Sequence, residues 1–243
     1  MADRDATQVP TACTAEFILG ELPDRRDLLE VGCGDGRLAV VLGSHGHRVV
    51  AIDADPEAVA AAKQRGVDAM VARFPDGPDG PFDAVLFTRS LHHVDDLAGG
   101  LAAAARRLAP GGVVLVEDWA WEVMNEPLLA FCARLAAAAR SLGGEVDDVW
   151  QLGAAGLAAW QHEHGDHGLH TGAAIETALR QRFANVGALA EPYAYRYPAR
   201  YLTHVPSTAT AVASALTAER AAIAAGSIPA LGRRWIARGP IVE

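Results

Sequence analysis

The chain has 243 residues, with 21 basic against 30 acidic side chains and a formal charge of -9. That length can bury a sizeable core and, for an α/β pattern, commonly makes one domain, while the acidic balance and the lack of a basic stripe argue against nucleic acid as a partner. Cys13, Cys33 and Cys132 have neither metal-ligand spacing nor an obvious pairing, Met1-Ala2-Asp3-Arg4-Asp5 lacks a leader's basic and apolar regions, and no apolar run approaches membrane-spanning length, so a reduced, cytoplasmic setting away from the membrane is expected.

Residues 1 to about 27 carry the amphipathic patch Thr14-Ala15-Glu16-Phe17-Ile18-Leu19, which predicts a helix that either packs beside a ligand site or covers a sheet edge. Leu28-Leu29-Glu30-Val31-Gly32-Cys33-Gly34-Asp35-Gly36 follows and organises the chain. An apolar run feeds three alternate glycines and then a helical pattern, which reads as strand, tight turn and helix N-terminus, a turn that lets a ligand lie against bare main chain. The spacing is G-x-G-x-G rather than the G-x-G-x-x-G of a pyrophosphate site, and Glu30 stands two positions before the first glycine. A cofactor with both an ammonium and a carboxylate accepts that acid, and S-adenosylmethionine (SAM) is one. The next apolar run ends on Asp53, whose carboxylate can accept hydrogen bonds from two ribose hydroxyls.

Residues 28–118 resemble the core of class I SAM-dependent methyltransferases of the small-molecule type. Glu30 to Gly36 matches the glycine motif, Asp53 the ribose acid, Phe82-Asp83-Ala84-Val85-Leu86 the fourth strand, and Pro110-Gly111-Gly112 the turn before the fifth. The resemblance implies a Rossmann-like, doubly wound, seven-stranded α/β sheet with its last strand antiparallel and helical insertions forming a substrate cap. It also implies SAM as cofactor and S-adenosylhomocysteine (SAH) as product, held by Glu30, Gly32, Gly34, Asp53, Ala54, Arg73, Phe74 and Thr88. One domain is expected, with its core at about 28–118, 171–191 and 230–238 and cap insertions at about 119–170 and 193–229.

In chain order the pattern predicts strand 28–32, helix 36–44, strand 48–53, helix 56–65 with Pro56 in its first turn, and strand 68–72. Where the family places an Asp for adenine, this chain reads Arg73-Phe74, so adenine contact there falls to main chain and the Phe74 ring. Strand 82–88 leads into Thr88-Arg89-Ser90-Leu91-His92-His93-Val94, a segment that in the family runs past the methionine end of SAM. His92 is either a general base at the methyl-transfer site or a hydrogen-bonded packing residue, and His93 supports the loop. Helix 96–109 and strand 113–118 complete the recognisable core.

Beyond Asp118, Trp119 and Trp121 either wall an apolar or aromatic substrate pocket or anchor an inserted helix. Alanine-rich helices are predicted over 127–142 and 152–161, then a polar loop, Trp160 to His170, rich in histidine. No fixed spacing presets a ligand triad there, so no metal is expected; the loop is either solvated or lends His164 or His170 to proton transfer. Helix 171–182 and strand 185–191 precede Pro192 to Tyr201, where Tyr193, Tyr195 and Arg196 suit an aromatic or carboxylate-bearing ligand, and where the tyrosine alternation also suits a strand face. Helix 208–225 and a strand over 233–238 close the chain.

The leading expectation is methyl transfer to an oxygen, nitrogen or carbon of a small-molecule acceptor, with secondary metabolism as one setting. The alternatives are a cyclisation or similar reaction on the same cofactor, and a non-catalytic SAM- or SAH-binding protein.

Overall fold

The computed structural model describes residues 5–24, 26–146, 150, 152–206 and 208–241. The N-terminal stretch Met1 to Arg4, read above for a leader, lies outside them. Contacts divide the chain into two compact units. One comprises Cys13–Asp118, His170–Leu189 and Arg233–Glu243, the other Met1–Ala12, Trp119–Leu169 and Ala190–Gly232.

The first unit alternates helix and strand: α1 Gln8–Glu21, β1 Asp27–Val31, α2 Arg37–Ser44, β2 Arg48–Asp53, α3 Pro56–Gln64, β3 Asp68–Val71, β4 Phe82–Thr88, α4 Leu97–Arg106 and β5 Leu108–Trp119. A 3-10 turn, Leu91–His93, follows β4. The side chains of Asp55 and Asp96 cap α3 and α4 by accepting from the amides of Glu57 (2.8 Å) and Gly99 (3.0 Å). By contrast, α2 starts at Gly36 with no side-chain cap. The later chain returns as α7 Gly172–Arg182, β6 Phe183–Glu191 and β7 Gly232–Pro240.

Sheet order is β3-β2-β1-β4-β5-β7-β6, with the last strand antiparallel as the resemblance implies. After β3 the chain returns to place β4 beside β1, so the winding reverses between those two strands, where open α/β sheets bind ligands. Parallel register pairs Val31 with Ile52 and Phe87, Asp53 with Val71, and Thr88 with Glu117. Alternate residues fill opposite faces of the sheet. Leu29, Val85, Phe87 and Val114 pack with Leu101, Ile175 and Leu179, while Leu28, Leu86 and Leu115 pack with Ile18, Leu38 and Leu42. The turn expected at Pro110 to Gly112 lies inside β5 as a bulge, because Phe82 pairs with Leu108 but Ala84 pairs with Val113.

The second unit holds the 3-10 turn Trp121–Val123, α5 Glu126–Ser141, α6 Gly153–Asp166, α8 Arg196–Tyr201 and α9 Ala209–Ala224 around Trp119, Phe131, Trp160 and Leu231. Two expectations are corrected here. The histidine segment is no loop through Asp166, since α6 continues to that residue, carried by a His164 Nδ1 bond to the Trp160 carbonyl at 2.7 Å and a His162–Asp166 pair at 2.9 Å. Tyr193, Tyr195 and Tyr197 lie on no strand, because Glu219 of α9 gathers the consecutive amides of Tyr193, Ala194 and Tyr195 at 2.7, 2.9 and 2.8 Å, which denies them to a sheet.

Candidate functional site

The glycine turn follows β1. Gly32 and Cys33 both donate to the Ile52 carbonyl, at 2.8 and 3.1 Å, which draws the turn toward the end of β2. Gly32 has φ 75°, and a Cβ there would fall 2.5 Å from Ser90 Cβ, so no other residue allows that approach. Gly34, at φ 53°, donates its amide to Asp53 Oδ2 at 2.8 Å, and a Cβ built on it would meet no described atom within 4 Å, which leaves its main chain open to a ligand. Asp53 Oδ1 also accepts the Asp55 amide at 3.0 Å. Each oxygen of that carboxylate keeps a second lone pair for an external donor.

Glu30 is 1% exposed and its Oε2 has no hydrogen-bond partner among the described residues. Burial pushes its pKa from 4.5 to about 8, with Arg89 pulling it down and Asp53 and Asp35 pushing it up. Burial, with Glu30 and Asp53 nearby, also drives the Cys33 thiol up to about 12, so this thiol stays protonated and is no nucleophile.

Beside the turn, the ends of β4 and β5 make a second cluster. His92 is buried, its Nδ1 lies 2.7 Å from Asp118 Oδ1, and its amide donates to Asp118 Oδ2 at 3.2 Å. With a carboxylate on Nδ1, the uncharged ring carries its proton there and its lone pair on Nε2. His170 clamps this segment: its amide donates to the His92 carbonyl at 3.1 Å and its Nε2 to the Val94 carbonyl at 2.7 Å. These two bonds tie His170 to the His92–Val94 segment and commit its Nε2 to a carbonyl, which leaves Nδ1 as the ring nitrogen with a lone pair. The His93 ring packs against His92 at 4.0 Å with the two planes tilted by 43°, and partial burial lowers its pKa.

A family profile for a methyltransferase domain matches residues 8–188. The chain belongs to that methyltransferase family. A ubiquinone biosynthesis O-methyltransferase of Xylella fastidiosa (strain 9a5c) is 35% identical over 113 residues, covering 43% of this chain and 44% of that one. The chain spans about half the length of the curated relatives it matches. A Haemonchus contortus phosphoethanolamine N-methyltransferase 2, solved with phosphomonomethylethanolamine and SAH, superposes with a TM-score of 0.61 at 14% identity, over 94% of this chain and 53% of that one. The cyclase SpnF superposes with a TM-score of 0.54 at 16% identity, over 95% and 82% of the two chains. The fold is therefore shared by N-methyl transfer and cyclisation, and does not by itself name the reaction.

For a methyltransferase the cofactor to be tested is SAM, and the residues present fit it. An ammonium suits the unpartnered Glu30 oxygen, ribose hydroxyls suit the remaining lone pairs of Asp53, and bare main chain is open at Gly34. The adenine expectations fare differently. Phe74 is buried in the core, edge-on to Phe87 at 5.3 Å and under the Arg107 guanidinium at 5.4 Å, so its ring is no exposed stacking face. Arg73 and Ala54 are exposed beside the strand ends, and Thr88 is buried at the end of β4.

In the second unit Trp119 stacks on Tyr193 at 5.5 Å, and His164 stacks on Trp160 at 4.0 Å and meets Trp119 edge-on at 5.0 Å. Tyr195 is 2% exposed with the Arg196 guanidinium 5.2 Å from its ring, which makes it core rather than an offered face. Trp121 Nε1 and the Tyr197 hydroxyl are buried without a partner among the described residues, an arrangement that invites a polar group from a ligand. Tyr197 was not among the expected site residues. Among the described residues no three His, Cys, Asp or Glu side chains converge as metal ligands do, and no helix is long and apolar enough to cross a membrane.

Proposed function

We propose that this protein is a SAM-dependent methyltransferase acting on an oxygen, nitrogen or carbon of a small-molecule acceptor, and that the chain is a single methyltransferase domain. The observation that carries the reading is the buried Glu30 carboxyl with an unpartnered oxygen beside an open glycine turn. Such a group costs stability unless a ligand completes it. SAM supplies a methyl group on a sulfonium that is already a good leaving group.

The chain's own work is then to hold, to orient and to move one proton. Glu30 takes the ammonium, Asp53 the ribose, and the Gly34 main chain lies against the ligand. Asp118 holds His92 with its lone pair on Nε2, the form that takes a proton from the acceptor as the methyl–acceptor bond forms. Trp119, Trp121 and Tyr193, with Tyr197, select an aromatic acceptor carrying a hydrogen-bond-accepting group. The net charge of -9 accords with a small molecule rather than a nucleic acid, and the free cysteines Cys13, Cys33 and Cys132 accord with a reducing, cytoplasmic setting.

The test is incubation with methyl-labelled SAM and a panel of small aromatic metabolites, followed by mass spectrometry. Label on an acceptor with formation of SAH is the expected result. An altered acceptor without label turns the reading to cyclisation, and SAM binding with no product from any acceptor turns it to a non-catalytic binding protein.

A further inference from the structure

Directly after β4, Arg89 has φ 64°, a left-handed backbone that residues with long side chains rarely adopt. Its surroundings hold it there. The Arg89 amide donates to the Glu117 carbonyl at 2.7 Å, its Nη1 lies 3.1 Å from Glu117 Oε1, and the next residue's hydroxyl, Ser90 Oγ, donates to the Val31 carbonyl at 2.5 Å. Ser90 is also the side chain that a Cβ on Gly32 would strike. The segment is therefore pinned against the first residue of the glycine turn, and Arg89 is the charge it brings.

Glu117 does not use up that charge. Arg234 reaches its Oε2 through Nε at 2.9 Å and Nη2 at 2.7 Å, and Thr14 donates to its Oε1 at 2.6 Å. One buried carboxylate thus faces two guanidiniums, and one positive charge is left over. The acids nearer the turn do not absorb it either. Asp35 is paired with Arg37 at 2.8 Å and Arg65 at 3.0 Å, and Asp53 is bound by the amides of Gly34 and Asp55. Glu30, with its pKa raised to about 8, is mostly protonated near neutral pH and leaves Arg89 unneutralised. The Arg89 side chain is 36% exposed, so a ligand can reach it.

Resting on the SAM reading, we propose that Arg89 receives the carboxylate of the cofactor's amino-acid end, beside the Glu30 carboxyl that receives its ammonium. A guanidinium with N–H donors beyond the one on Glu117 suits a carboxylate, and its strained backbone fixes where that donor stands. Together the two side chains recognise a zwitterion, and a nucleoside without the amino-acid end gains nothing from either.

The experiment is calorimetry with SAH and with 5′-methylthioadenosine, which keeps the nucleoside and the sulfur but lacks the amino-acid end. Arg89→Met is expected to weaken SAH about 10- to 100-fold, the range for a lost charge-assisted hydrogen bond, and to leave 5′-methylthioadenosine unchanged. Arg89→Gln keeps a donor for Glu117 and removes the charge; it is expected to give the same split, and decides the matter where the Met variant melts too low to titrate. Equal weakening of both ligands, the mark of a displaced turn, overturns the inference, as does unchanged SAH affinity. Wild-type protein that binds neither ligand overturns the cofactor reading itself.

Discussion

Asp118→Asn separates a catalytic arrangement at His92 from a merely packed one. Both Asp118 oxygens accept from His92, one from Nδ1 at 2.7 Å and the other from the amide at 3.2 Å. An asparagine in the same place has one acceptor and one NH2 donor. The main-chain amide can only donate, so the asparagine oxygen must stay on it, and the NH2 must turn to the ring. Nδ1 then becomes the acceptor and the ring proton moves to Nε2, the nitrogen that a base needs bare. Turnover should fall about 10²- to 10⁴-fold, the usual share of general-base catalysis, while SAM affinity changes little. Losing a buried charged hydrogen bond costs about 1.5–3 kcal/mol, which lowers Tm by roughly 3–12 °C for a chain of this size. Nitrogen-detected NMR of the histidine rings reads the tautomer without any acceptor, and the labelled-SAM assay reads the rate. Turnover within about threefold of wild type, with the tautomer inverted, would remove His92 from the chemistry.

His92→Ala should lose a similar factor of about 10²–10⁴ in turnover, and a full rate in the folded variant would place the base elsewhere. Asp53→Ala should weaken SAM and SAH alike by about tenfold or more, because it removes the ribose acceptor and also frees the Gly34 amide; calorimetry showing unchanged affinity would sink that assignment. For Glu30 the sign follows from a folded pKa of about 8 against 4.5 in the open chain. The folded state keeps a proton that the unfolded state has shed, so apo-protein stability falls as pH rises from about 4.5 to about 8 and then levels off. Thermal melts should show that decline in wild type and a flatter curve in Glu30→Gln, and equal slopes would contradict it. Added EDTA should leave turnover intact; loss of activity restored by one metal ion would reverse the expectation drawn from the spacing of the histidines.

What the sequence revealed of the site depends on how far apart its parts lie along the chain. The glycine turn, Glu30 and β1 are contiguous, so apolar run, glycine spacing and helix pattern could be read together. His92 and Asp118 are 26 positions apart and meet because β4 and β5 run parallel with Thr88 opposite Glu117, a register that no local pattern states. Phe74 shows the same limit in another form. An aromatic after a strand looks alike whether its ring turns out to a ligand or in to the core, and here Phe87 and Arg107 draw it inward. The tyrosine alternation from Tyr193 to Tyr197 suited a strand until Glu219, from a distant helix, drew the amides of residues 193–195 to one point. Gly165 suggested a loop, yet one glycine costs a helix only about 1 kcal/mol, and stacking of His164 on Trp160 offsets that.

The acids at the carboxyl ends of β1 and β5 divide by what holds them. Glu117 is 4% exposed and takes two guanidiniums and a hydroxyl, a set that neutralises its charge and ties β5 to α1, β7 and the segment after β4. Asp118 is fully buried and gives both oxygens to His92, so its charge sets a tautomer. Glu30, as deeply buried, has an oxygen with no partner at all among the described residues. Three carboxyl groups in such positions cannot all be retained for stability, because an unpaired one is a net cost of desolvation. The two paired acids build the edge, and the unpaired one is the acid whose desolvation cost the cofactor's ammonium would offset in the proposed complex.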